Sequence, residues 1–125
     1  MNKYIDLFGR ILLSVIFLMS GFNKIGSYAL TQGFMASQGV PGILLPLVIA
    51  LEIVGPILII IGWHTRLIAL ALAGFSVLAA VLFHMVFSDQ IQMIMFMKNI
   101  TIAGGFLLLV AHGAGEISVD FRRKN

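Results

Sequence analysis

Four apolar runs, each close to twenty residues long, take up most of this 125-residue chain, at about 5–25, 43–62, 67–87 and 93–111. A helix rises about 1.5 Å per residue and the hydrocarbon core of a bilayer is about 30 Å thick, so each run is long enough to cross it. In hydrocarbon every backbone N–H and C=O must find a partner inside the protein, and a helix satisfies its own. The expected fold is all-α: a polytopic membrane protein in which four transmembrane helices form an antiparallel bundle. A single domain covers 1–125, with residues 112–125 as a tail.

Composition closes the soluble alternatives. The chain is 60% hydrophobic and 10% charged, too few charges to cover a water-facing surface. With no cysteine, disulfides, thiolate metal sites, iron–sulfur clusters and dithiol redox chemistry are excluded for this chain. No phosphate-binding loop, nucleophile elbow or zinc spacing is present, and no metal is expected. The first run is too long for a cleaved signal peptide, contains Arg10 and precedes three more runs, so it is expected to stay as a span.

Of the eight Lys and Arg residues, Lys3, Arg10, Arg66, Arg122, Arg123 and Lys124 fall on one side of the four-span arrangement, and Lys24 and Lys98 on the other. The positive-inside rule then places both termini in the cytoplasm. The basic tail suits a membrane surface, not nucleic acid. GWHTRL, starting at Gly62, can only be a tight hairpin, with Gly62 closing one helix and Thr65 expected to cap the next. GSYALTQGFMASQGVPG, starting at Gly26, is the one long connection. Tyr28, Leu30, Phe34 and Met35 in it suit the lipid interface, and Gly39 and Pro41 would stop a short helix. It reads either as a surface loop or as a lid over an outward-facing cavity.

Spacings of three and four place the polar residues of each run on one stripe. The first run gives Arg10, Ser14, Phe17, Gly21 and Lys24; the second gives Glu52, Gly55, Ile59 and Gly62. By the same rule the third gives Gly74, Val77, Val81 and His84, and the fourth Lys98, Thr101, Gly105, Leu108 and His112. Small residues let membrane helices approach closely, so Gly21, Gly55, Gly74 and Gly105 are expected at the packing seams. Depth along the spans brings Lys24, Glu52, His84, Lys98 and Asn99 into the outer half of the bundle. At its minimum such a cluster is a structural ion pair, because an ionised carboxylate alone in lipid costs about 2.5–3.5 kcal/mol or more. At its fullest it binds the polar head of a ligand or relays protons, with His84 supplying an imidazole that can take up and release them. On this reading Lys98 is expected to sit beside Glu52.

SVIFLMSGFNKI, GVPGILLPLVIALEIVGPILIIIGWHTRLIAL, the His of LFH, and MFMKNITIAGGFLLL followed by GAGEISVD together resemble the DoxX family of bacterial inner-membrane proteins, and the likeness covers nearly the whole chain. It is nearest to proteobacterial DoxX-like members. The resemblance implies a four-helix membrane bundle in the bacterial inner membrane and a link to redox biology, since the family takes its name from subunits associated with a quinol oxidase and a thiosulfate:quinone oxidoreductase. The matching polar positions are Lys24, Glu52, His84, Lys98 and Asn99.

Three functions follow. One is a quinone-interacting or redox-complex subunit, not an independent enzyme, in which quinone carbonyls meet Lys98 or His84 and no cofactor is held covalently. Another is a proton-coupled carrier for a small molecule, using Glu52 and His84. A third is an assembly or lipid-binding subunit whose polar cluster fixes helix register. The expected partners are membrane lipids, a quinone or small apolar ligand, a redox partner subunit and further copies of the chain.

Overall fold

The computed structural model describes residues 2–84 and 87–124. In chain order they form α1 (Lys3–Gly26), α2 (Tyr28–Ser37), a 3-10 turn (Gly42–Leu44), α3 (Leu45–Ile61), α4 (Thr65–Phe83), α5 (Gln90–His112) and α6 (Val119–Lys124), with no strand among the described residues. Helices α1, α4 and α5, and α3 together with its leading 3-10 turn, are each long and apolar enough to cross a membrane.

Local chemistry sets the ends of these helices. The Asn2 side chain accepts from the backbone N–H of Tyr4 and Ile5, filling donors that the first turn of α1 leaves open. Asp89 does the same for α5 through Ile91 N–H. Pro46 sits in the first turn of α3, where its missing N–H costs nothing. Gly62 ends α3 at φ 76°, a left-handed conformation that suits glycine.

Packing is uneven around the bundle. Helix α1 lies against α3 and α4 lies against α5 over long stretches, α3 meets α4 more briefly, and α1 barely touches α5. Two tight pairs therefore share one seam and leave an open side. Between them runs a small core of Phe17, Ile59, Leu72, Ala73, Ala103 and Phe106, with the Phe17 and Phe106 rings edge to face at 5.6 Å. Large apolar side chains cover the outside, as expected where lipid is the solvent and drives no burial.

The stripes expected on the first two spans are the ones the fold buries: Arg10, Ser14, Phe17 and Gly21 on α1, and Glu52, Gly55 and Ile59 on α3. Those expected on the last two spans are displaced. Gly74, Val77 and Val81 lie on the exposed surface, and α4 buries Thr65, Ala69, Leu72, Ala73, Ser76 and Ala80 instead. The reason is that α4 ends at Phe83, and His84 (φ −132°) has left the helix whose register it was used to project. On α5 the buried residues are Ala103 and Phe106, while Lys98, Thr101, Leu108 and His112 are exposed. The long connection does contain a helix. Helix α2 ends just before Gly39 and Pro41, buries Met35, and stacks Phe34 on Phe83 at 5.4 Å.

Candidate functional site

At the bundle end remote from the termini, two of the expected polar residues meet. Lys24, in the last turn of α1, donates to Ser20 Oγ at 2.7 Å, and its Nζ lies 2.8 Å from Glu52 Oε1. That second approach falls outside hydrogen-bond angles, so it is a charge pair without a directed bond. Glu52 is only 3% exposed, which makes a counter-charge a condition of the fold. The close approach depends on Gly21, where an added Cβ would stand 2.7 Å from Ile53 Cγ1. Gly55 faces Leu72 in the same way and Gly105 faces Leu13, whereas Gly74 meets nothing within 4 Å and lies at no seam.

Among the described residues, no hydrogen bond or ion pair joins the other members of the expected cluster to this pair. His84 pairs its Nδ1 with Gln92 Oε1 at 3.0 Å, closing the turn between α4 and α5. Asn99 is half-buried on α5. Lys98 does not reach Glu52. It is exposed, with no ion-pair or hydrogen-bond partner among the described residues, and stands on the wall of a groove between α1 and α5. Depth along the spans placed Lys98 and Glu52 at similar levels, but α3 packs on α1 and α4 and not on α5, so their helices are not neighbours.

This groove encloses about 740 Å³. Its walls are Leu12, Leu13 and Ile16 from α1 and Ile102, Leu108 and Leu109 from α5, and Gly9 and Gly105 widen it. Lys98 marks one end, and Asp6, His112 and Gly113 mark the other. The last three also line a second cavity of about 670 Å³ at the termini-bearing end, together with Lys3, Arg66 and Glu116. The two spaces therefore border one another at these three residues: a long apolar groove beside a polar vestibule.

The termini-bearing end also holds a network that the sequence indicated only in fragments. Arg10, 1% exposed, donates through Nη1 to the carbonyls of Ile59 and Ile60, both at 2.9 Å, and through Nη2 to the carbonyl of Ile117. One guanidinium thus ties α1 to the C-terminal end of α3, where carbonyls lack helical partners, and to the segment after α5. That segment is held a second time. Asp120 accepts from His64 N–H and Thr65 N–H, each at 2.8 Å, and its own N–H donates to Gly62 O at 2.8 Å. Thr65 was expected to cap α4 itself; instead it is the first helical residue, and the cap comes from Asp120, 55 residues away. Burial pushes the Asp120 carboxyl up, but the N–H groups it accepts from outweigh that and hold it below the usual aspartate range. The clues were Arg10 on the buried stripe and the GAGEISVD segment. Neither says which carbonyls a guanidinium will find.

Comparison with known proteins agrees with this architecture. The chain is 50% identical over 114 residues, 91% of its length and 88% of the relative's, to Inner membrane protein YqjF of Escherichia coli (strain K12). It is 38% identical over 123 residues, 93% of its length and 88% of the relative's, to Inner membrane protein YphA of the same organism. No solved structure matches it. The DoxX family profile matches residues 5–85, covering three of the four spans and the Lys24–Glu52 pair, and with these relatives it establishes that the chain belongs to the DoxX family.

Proposed function

We propose that this chain is an inner-membrane protein, with both termini in the cytoplasm, that holds a quinone-class molecule in the α1–α5 groove as an accessory to a membrane redox complex. The relatives' names support the membrane, and the grouping of Lys and Arg supports the orientation. One observation carries the ligand: Lys98 is an unpartnered ammonium on an apolar groove that opens sideways to lipid. A cation at membrane depth costs about 2.5–3.5 kcal/mol on insertion scales, so its retention there calls for an acceptor that the chain does not supply. A quinone carbonyl provides that acceptor, and its ring and tail match walls of Leu and Ile. Glu52 is already neutralised by Lys24, and His84 is engaged with Gln92, so neither competes with Lys98 for this role.

The test is the quinone content of protein purified from native membranes in mild detergent, measured by mass spectrometry for wild type, Lys98→Met and Ile102→Trp. Wild type should retain quinone above the level carried by an unrelated four-span control. Lys98→Met should lose it by removing the donor, and Ile102→Trp by filling the groove beside Lys98. Equal retention in all three, or none in wild type, overturns the reading. A C-terminal alkaline phosphatase fusion should be inactive if the termini are cytoplasmic.

A further inference from the structure

The vestibule at the termini-bearing end carries charges of both signs. Lys3 and Arg66 bring ammonium and guanidinium, Asp6 and Glu116 bring carboxylates, and no ion pair joins any of the four among the described residues. His112 adds an imidazole at the point where the vestibule meets the groove. A ligand with charge of one sign would satisfy half of this set and be repelled by the rest. The apolar groove leads away from the same place, beginning between Asp6 on α1 and His112 on α5. Together they form a two-signed polar mouth bordering an apolar groove.

We propose that this mouth binds the head of a zwitterionic phospholipid bearing a primary ammonium, with one acyl chain lying in the adjoining part of the groove. The phosphate is placed by Arg66 and Lys3, where a guanidinium offers paired N–H donors to its oxygens. The ammonium is placed by Asp6 and Glu116. Length agrees with a single leaflet: from Gly113 to Lys98 the α5 wall runs about 22 Å, against about 15 Å for half of the hydrocarbon core. A chain entering from the vestibule therefore stops short of Lys98. The lipid site and the quinone reading occupy opposite ends of one groove and stand independently.

The experiment is thermal melting of the whole protein in mild detergent with added phosphatidylethanolamine, phosphatidylcholine or phosphatidylglycerol of identical chains. Phosphatidylethanolamine should raise the midpoint most, because only it presents ammonium N–H donors together with a phosphate. Glu116→Gln and Asp6→Asn should each reduce its advantage over phosphatidylcholine, and Arg66→Gln should weaken the response to all three lipids. Glu116 is exposed, so its variant keeps the test open should Asp6 prove necessary for folding. Phosphatidylglycerol equal to or better than phosphatidylethanolamine would mean a basic surface only and overturn the proposal. So would a phosphatidylethanolamine preference that survives both carboxylate changes. Lys98→Met should leave the lipid preference intact while abolishing quinone retention, so each reading can fail without the other.

Discussion

Replacing Arg10 with methionine should cost this bundle more than any other single charge removal at its termini-bearing end. The substitution keeps an unbranched apolar stem and deletes donors to three carbonyls, those of Ile59, Ile60 and Ile117. A hydrogen bond from a charged donor contributes about 1.5–3 kcal/mol, which for three gives a gross loss of about 4.5–9 kcal/mol. Two terms offset it. Removing the guanidinium relieves a desolvation penalty of several kcal/mol, and its Nε has no partner to lose. The bonds to the Ile60 and Ile117 carbonyls are only part-buried, so those oxygens can turn to water, whereas the buried Ile59 carbonyl is left at the end of α3 without a donor. One orphaned buried acceptor puts the net loss at about 1–3 kcal/mol. Arg10→Lys should fall between, because one ammonium cannot span three acceptors with the geometry of a planar fork. Thermal melting in a fixed detergent, followed by circular dichroism, reads both. Arg10→Met melting at or above wild type would show that burial of the cation outweighs its bonds and refute the reasoning. Full recovery by lysine would show that charge, not geometry, matters.

The pair at the other end should couple. Lys24→Met should lose about 3–5 kcal/mol by leaving Glu52 buried without its counter-charge, and Glu52→Gln in the same chain should recover part of it, with a coupling of about 0.5–3 kcal/mol in the cycle; additive effects would separate the two groups. Glycines should divide by site. Gly62→Ala forces a Cβ to within 2.3 Å of Ser118 Cβ at φ 76° and should melt well below wild type, while Gly74→Ala, in open space within a helix, should stabilise by about 0.5–1 kcal/mol; the reverse order would contradict the seam assignment. Because the Asp120 carboxyl is held below its ordinary value when folded, its contribution is present at neutral pH and lost as pH falls through that lowered value. Asp120→Asn should therefore narrow the gap in melting midpoint between neutral and strongly acidic buffer, and an unchanged gap would remove Asp120 from the acid response.

Span number and the buried faces of α1 and α3 were legible because length and three–four spacing act within one helix. The partners were not. Projecting a stripe from His84 failed because that residue lies one position beyond α4, where helical register has no meaning. Pairing Lys98 with Glu52 failed because depth along two helices says nothing about their angular positions around the bundle, and α5 turns Lys98 into a groove. Arg10 stood on the correct face, but its acceptors are carbonyls, which every residue carries and no sequence pattern marks. The cap on α4 came from Asp120 for the same reason: any carboxylate brought to a helix start can cap it, and proximity is a property of the fold.

The bond from Arg10 to Ile117 joins residues 107 positions apart, and this bears on how the protein is made. Arg10 enters the membrane with the first span and gains the carbonyls of Ile59 and Ile60 once the second is threaded. Its last acceptor leaves the ribosome only after α5 has been delivered. Until then one donor of the guanidinium lacks the acceptor it has in the finished fold. A chain halted after α5 would carry four good spans and still lack the latch.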